Sequence, residues 1–151
     1  MRAVIQRVKK ASVSVDGSIV SSIGCGLLVL LGISKDESYK DFDYIIDKII
    51  NMRIFHDLDG KMNESISSIN GEILIVSQFT LYGDIRKGRR PSYDRAENSE
   101  NAIKIYNEFI EKIKQKYDPN KIFTGVFGAM MDIDLLNFGP VIILLDSKRG
   151  F

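Results

Sequence analysis

Hydrophobic and polar positions alternate with a period of two at the start of the chain. Residues 2–8, Arg-Ala-Val-Ile-Gln-Arg-Val, and residues 11–15, Ala-Ser-Val-Ser-Val, each read as strands. Asp16-Gly17 supplies hairpin-turn chemistry leading into Ser18-Ile19-Val20. Residues 27–33 form a continuous apolar run, which predicts a central strand covered on both faces. From about residue 38 to residue 52 the period changes. Phe42, Ile45, Ile46, Ile49 and Ile50 fall at helical spacing, with Asp41, Asp43, Asp47 and Lys48 off that stripe. Arg53-Ile54-Phe55 resumes a short strand, and Asp57-Leu58-Asp59-Gly60-Lys61 is turn chemistry. Ile73-Leu74-Ile75-Val76, bounded by Gly71 and Gly83, is a second buried strand.

Asn98 or Ser99 caps a second amphipathic helix reaching about Tyr117. Ala102, Ile105, Tyr106, Phe109 and Ile113 form its buried stripe, and Lys112, Lys114 and Lys116 sit near its C-terminus, where the dipole favours cations. Three strands are expected after it, over residues 122–127, 131–136 and 141–145, with Asn137-Phe138-Gly139-Pro140 between the last two. The alternation of strands and helices makes this an α+β chain. Neither a repeat nor a linker divides its 151 residues, which predicts a single compact domain.

Composition narrows the function by exclusion. Lys plus Arg total 21 against 20 acidic residues, so bulk charge gives no argument for nucleic-acid binding and any such claim must rest on local clustering. The one cysteine, Cys25, cannot form an intrachain disulfide and suits a reducing compartment; beside an apolar run it reads as a small buried thiol rather than a nucleophile. The N-terminal residues lack the apolar core of a signal peptide, and no apolar run approaches the length of a membrane span. The expected location is cytoplasmic, without membrane contact. His56 is the only histidine and sits beside an exposed-looking turn, which leaves any Ser-His-Asp or Cys-His arrangement without a well-placed base. Asp57 and Asp59 fall short of a calcium-loop ligand set, and no Cys/His cluster suggests zinc, so neither a metal nor another cofactor is expected.

Two stretches carry candidate chemistry. Strand cores favour aliphatic residues, so Ser77, Gln78 and Thr80 arriving together at a strand's end call for partners or a ligand. If the strand continues, Gln78 and Thr80 share a face and present an amide beside a hydroxyl. The bland reading is that these groups bond neighbouring strands. Next comes Asp84-Ile85-Arg86-Lys87-Gly88-Arg89-Arg90-Pro91, in which Arg86, Lys87, Arg89 and Arg90 make the one concentrated positive patch. A charge run is commonly a solvated face, but this one follows the polar strand end and is positioned to deliver a phosphate backbone to it.

The chain resembles the D-aminoacyl-tRNA deacylase (D-tyrosyl-tRNA deacylase) family over essentially its whole length. The resemblance is carried by Met1-Arg2-Ala3-Val4-Ile5-Gln6-Arg7-Val8, by Arg53-Ile54-Phe55 with Asp59-Gly60-Lys61-Met62-Asn63, and by Ser77-Gln78-Phe79-Thr80-Leu81 followed by Lys87-Gly88-Arg89-Arg90-Pro91. Gly128-Ala129, Met131, Asn137 and Gly139-Pro140-Val141 match the family's C-terminal signature. Two positions depart from it: Phe138 stands where the family commonly has Asp, and Ile142 where it usually has Thr.

What the resemblance implies is a hydrolase that removes D-amino acids, and glycine, from mischarged tRNA. The implied fold is a compact α+β domain of packed, mostly antiparallel and barrel-like sheets with two helices outside. The implied assembly is a homodimer with sites at the subunit interface. Ser77, Gln78, Phe79 and Thr80 would form the catalytic segment, and Met131 and Asn137 would line the substrate pocket. Gly139 and Pro140, joined by a cis peptide bond, would reject L-aminoacyl substrates in the partner's pocket. Arg86, Lys87, Arg89 and Arg90 would hold tRNA. Two readings from other classes remain beside it: a non-catalytic tRNA-binding module, and a small-molecule esterase with an incidental basic loop.

Overall fold

The computed structural model describes residues 1–150. Its organising element is β1 (Arg2–Val15), a single strand of 14 residues where the sequence pattern suggested two. Lys9 and Lys10, which interrupt the alternation, are both exposed, and irregularities in pairing at this point let the strand bend without ending. Asp16 and Gly17, both with positive φ, turn the chain into β2 (Ser18–Ile23), as the Asp-Gly pair requires. Next come β3 (Gly26–Gly32), helix α1 (Tyr39–Asn51), β4 (Phe55–His56), β5 (Met62–Glu64) and β6 (Glu72–Ser77). Helix α2 (Ser99–Lys116), β7 (Ile122–Thr124) and β8 (Asp132–Asp146) complete the order.

The N-terminal half of β1 pairs antiparallel with β3 and its C-terminal half with β2, while β8 runs antiparallel along its other side. β3 pairs parallel with β6, and β6 parallel with β7. Each parallel step needs a crossover, and α1 and α2 lie within those two connections. Both helices face the same side of the sheet. Phe42, Ile45, Ile46 and Ile49 of α1 and Tyr106, Phe109 and Ile113 of α2 close over Ala3, Ile5, Leu27, Val29, Leu31, Ile73 and Ile75. On the opposite face, Leu28, Leu74 and Val76 meet Val8, Ala11, Val13 and Ile23, because the bent half of β1 folds across them. The Ser21 hydroxyl donates to the Thr124 carbonyl at 2.5 Å, so β2 reaches β7 and the sheet nearly closes on itself. This is the α+β, mostly antiparallel, barrel-like architecture with two outer helices that the sequence led us to expect.

Several local expectations are corrected. The last two expected strands are one, since β8 runs through Asn137-Pro140 as a bulge: the register jumps from Ile142 opposite Gln6 to Asn137 opposite Val8. β7 stops at Thr124, short of residue 127, and β4 begins at Phe55 rather than Arg53. Ile110 is buried in α2 while Ile105 is only half-buried. Cys25 is exposed, because it lies in the tight connection between β2 and β3 with its side chain outside the barrel. No helix among the described residues is long and apolar enough to cross a membrane.

Asp41, expected off the buried stripe, is itself buried. Its carboxylate accepts from the Ser38 amide at 2.8 Å, the Ser38 hydroxyl at 2.6 Å and Lys148 Nζ at 2.9 Å, joining the first turn of α1 to the end of β8. Burial alone would raise its pKa. The hydrogen bonds from Ser147, Ser38 and Lys148 outweigh it and hold the group well below the usual carboxylate range. A depressed folded-state value means the stabilisation is present above the unfolded-state pKa, about 3.9, and is lost as pH falls through the folded value. Asp41→Asn is therefore expected to lower the denaturation midpoint at pH 7 and to flatten the loss of stability below about pH 4, measured by urea unfolding across pH.

Candidate active site

The end of β6 is where the polar segment begins. Ser77 pairs with Leu31 of β3, and the Gln78 amide donates to the Leu31 carbonyl at 2.7 Å. There the strand stops. The chain winds into a single 3-10 turn, Phe79–Tyr82, so Gln78 and Thr80 do not share a strand face as the sequence suggested. Gly32 favours this position of the turn: a Cβ there would lie 3.0 Å from the Gln78 carbonyl and 3.1 Å from Leu81, so the missing side chain lets the turn fold closely across the end of β3. The amide and hydroxyl meet nevertheless, since Gln78 Nε2 donates to Thr80 Oγ1 within the turn. The backbone amides of Phe79 and Thr80 head the turn, where no earlier turn carbonyl can accept them. Two amide donors beside an oriented hydroxyl can hold a carbonyl oxygen as it gains charge. Thr80 Oγ1 takes its hydrogen bond from an amide, and neither a carboxylate nor an imidazole among the described residues is bonded to it.

Arg2 pins this turn from below. Its Nη1 donates to the Leu81 carbonyl at 3.0 Å, its Nε pairs with Asp146 at 3.1 Å, and its guanidinium lies 4.7 Å from the centre of the Tyr82 ring. Tyr82 is buried, which pushes its phenol up to about 12.

The basic stretch forms a small hairpin closed by reciprocal backbone bonds between Asp84 and Ser92. Arg86 is committed to it. Its guanidinium pairs with Asp84 at 2.5 Å and holds that carboxyl down, at about 2. Lys87, Arg89 and Arg90 are exposed and make no ion pair among the described residues. Three free cations remain of the four the sequence grouped together.

The Asn137-Pro140 bulge lies elsewhere. Its Gly139-Pro140 bond is cis, and both residues are exposed. Asn137 takes a bond from the Val141 amide at 3.0 Å and donates to Gln6 Oε1 at 2.9 Å, closing the base of the bulge. The sequence analysis missed Arg7, which is 1% exposed and donates to the Phe138 carbonyl at 2.8 Å and the Ile54 carbonyl at 2.5 Å. Its signal was there to be read: Ala3, Ile5 and Arg7 share one face of β1, so a cation stands at an inward position. Phe138, where a departure from the resembled pattern was noted, stacks on that cation. Its ring centre lies 4.7 Å from Arg7 Cζ, 4.8 Å from Lys9 Nζ and 6.0 Å from the ring of His56. His56 is exposed. Met131 is half-buried against the second core, where Gly125 leaves room for its sulfur.

The turn and the bulge are held from different positions along β1. Arg2 and the bare Gly32 hold the turn, whereas Arg7 holds the bulge. Five residues of strand separate the two anchors, roughly 16 Å. Neither of two surface hollows, of about 320 Å³ beside Tyr106 and about 550 Å³ beside His56 and Phe138, includes any of Ser77 to Thr80. No cluster of His, Cys, Asp and Glu among the described residues could hold a metal ion.

Comparison with known proteins gives a consistent picture. The family described as D-Tyr-tRNA(Tyr) deacylase matches residues 4–146. Proteins named D-aminoacyl-tRNA deacylase from Thermosipho africanus and Clostridium beijerinckii are 58% and 56% identical to the chain over 151 residues, covering all of both chains in each case. The solved structure of a c-Myc DNA unwinding element binding protein superposes with a TM-score of 0.93 at 44% identity, covering 97% of this chain and 98% of that one. A probable eukaryotic D-amino acid tRNA deacylase shares the fold, with a TM-score of 0.82 at 15% identity over 95% of this chain and 97% of its own.

Arg7→Leu removes the donor from two carbonyls at once. It is expected to cost about 2–4 kcal/mol, because each buried acceptor left unpaired carries its own desolvation penalty. Urea denaturation measures that loss, and hydrogen exchange should show protection falling first around residues 137–141.

Proposed function

The chain belongs to the D-Tyr-tRNA(Tyr) deacylase family and is a hydrolase of D-aminoacyl-tRNA esters; from that premise we propose how its residues divide the reaction. The Ser77-Gln78-Phe79-Thr80 segment receives the 3′ end of tRNA. The observation that carries this reading is a turn heading with two free amides at a strand end, beside a hydroxyl that no base activates. An amino acid esterified to ribose is already an activated acyl group. The enzyme has to place water and stabilise the tetrahedral oxyanion, and a strong general base is not obligatory. The Phe79 and Thr80 amides take the oxyanion, Gln78 and Thr80 position the substrate, and the substrate's own 2′-hydroxyl helps to activate water.

Chirality is set by Gly139 and Pro140, with Met131 and Asn137 contributing to the pocket. Gly139 has φ +133 and no Cβ, and the bulge offers bare backbone at its tip. A rigid backbone wall opposes one substituent direction at the substrate's α-carbon, so it excludes an L side chain while admitting hydrogen or the D arrangement. On this reading glycyl-tRNA is also a substrate, and the enzyme is a chiral proofreader acting in the cytoplasm on tRNA.

The wall must come from a second copy. Its anchor lies roughly 16 Å along β1 from that of the turn. A two-fold dimer supplies reciprocal sites, each combining one turn with the partner's bulge. Support comes from β8, which among the described residues pairs only with β1 and exposes Leu136, Ile142 and Leu144 at 49%, 54% and 58%. A long apolar edge strand left open invites association.

The test is deacylation of matched D-, L- and glycyl-tRNA. Loss of the D- and glycyl-esters with the L-ester intact is the expected result, and equal loss of the L-ester would remove the chiral wall. Thr80→Ala should keep most of the D-activity in the same assay, whereas a trapped acyl-enzyme would make Thr80 a nucleophile. Neutralising Arg89 and Arg90 together should weaken tRNA binding and lower the slope of log affinity against log salt by about 2. Unchanged binding at low salt would return the hairpin to solvated surface.

A further inference from the structure

Met1 is wholly enclosed, with 0% of its surface exposed, and its side chain belongs to the core beneath the helices. The α-ammonium goes inside with it. It donates to Ser147 Oγ at 2.7 Å and forms an ion pair with Glu37 Oε1 at 2.6 Å. The Glu37 side chain is itself 1% exposed. Its Oε1 also accepts from the Ser34 amide at 2.9 Å and the Ser34 hydroxyl at 2.6 Å. Its Oε2 is buried with no hydrogen-bond partner among the described residues. Lys148 feels the same carboxylate, but its ammonium bonds Asp41 instead. A carboxylate buried in this way needs a cation beside it, and here that cation is the amine of residue 1. The Ser147 amide in turn donates to the Met1 carbonyl at 2.9 Å, so the amine is walled in by a residue just beyond β8.

We infer that the Met1 α-amine is a required interior cation, and that hydrolytic removal of a formyl group from it must precede closure of the fold. A chain begun on formylmethionine starts with that nitrogen blocked. The blocked nitrogen is a neutral amide with one N–H, whereas the ammonium has a full charge and three donors. One N–H cannot serve Ser147 and Glu37 together, and the carboxylate would stay buried without its counter-charge. The formyl carbon and oxygen would also need room where the residue has no exposed surface. The reaction that supplies the free amine is hydrolysis of the formamide. The C–N bond breaks and water gives its oxygen to the formyl carbon. Both protons of that water pass to the nitrogen, which becomes the ammonium as formate departs. In the folded protein the amine is out of reach of an enzyme that does this. On a growing chain it is open until Ser147 has been made, because one wall of its pocket arrives only then.

The test compares free and N-formylated forms of the full chain, the second obtained by producing it in bacteria whose deformylase is inhibited. The intact mass of the protein from its own cells is expected to show Met1 present and unacylated. In urea, formylation should lower the folding equilibrium constant on the order of 100- to 1000-fold, the effect of breaking a buried ion pair. If the formylated form does not fold, treating it in urea with a deformylase and then diluting should recover native protein. Glu37→Gln separates charge from bulk: with no carboxylate to pair, its free and formylated forms should differ by less than about tenfold. Equal urea midpoints for the two wild-type forms would overturn the proposal, as would an equal loss in the Glu37→Gln background. Failure to recover native protein after deformylation would do the same. So would a mature protein that carries an acyl group on Met1, lacks that residue or continues before it.

Discussion

One strand has to serve both cores, and the rest of the molecule follows from how β1 meets that demand. Its first half contributes Ala3 and Ile5 to the layer beneath the helices, and its second half contributes Val8, Ala11 and Val13 to the layer on the other side. A straight strand could not do this. The bend at Lys9-Lys10 lets the same hydrogen-bonded ribbon leave one sheet face and cover the other, which is how a mixed sheet becomes nearly closed. β8 must bend with it, and the residues of β8 that cannot keep step are those of the Gly-Pro bulge. The bulge is thus a product of the curvature, and Arg7, directly beside it, holds it with charge where the ladder has no bonds to offer.

Much of this was legible because periodicity reports burial directly. The apolar stripe of α1, the Asp-Gly hairpin and the doubly covered β3 all appear where the pattern places them. What the pattern hides is anything set by distant partners. Asp41 looks like a surface carboxylate on a helical wheel, and partners distant in sequence, Ser147 and Lys148, help to make it an interior one. Cys25 sits in an apolar neighbourhood along the sequence yet is exposed, in the two-residue connection between β2 and β3. The Ser77–Thr80 segment was identified by its polarity at a strand end, but its conformation was not, because the turn is dictated by the space above Gly32 on another strand. Arg7 was passed over for the opposite reason. An arginine in an alternating strand reads as solvated unless its place on the inward face is weighed against its charge.

The two arginines of β1 divide the candidate chemistry between them. Arg2 and Arg7 each bond a carbonyl of an irregular segment and each lie against an aromatic ring, Tyr82 in one case and Phe138 in the other. Guanidinium suits this duty, with donors directed in one plane and a face that stacks. The turn and the bulge are therefore held in the same way from two positions along one strand.

The pairing of β1 with β8 sets the order of events when the chain is made. Arg2 lies opposite Asp146 and Ser14 opposite Asp132, so the most extensive ladder in the molecule links residues more than a hundred positions apart. Until β8 has left the ribosome, β1 has one bare edge and Arg7 has no Phe138 carbonyl to bind. Contacts of such long sequence separation carry a high loop-closure cost before they return any stabilisation, which slows folding. The hairpin of β1 and β2 and the two helices can form early, but the barrel closes only once β8 is available to pair with β1. Until β8 arrives, a nascent chain of this protein must hold its hydrophobic strands in waiting, when they are most open to misassociation.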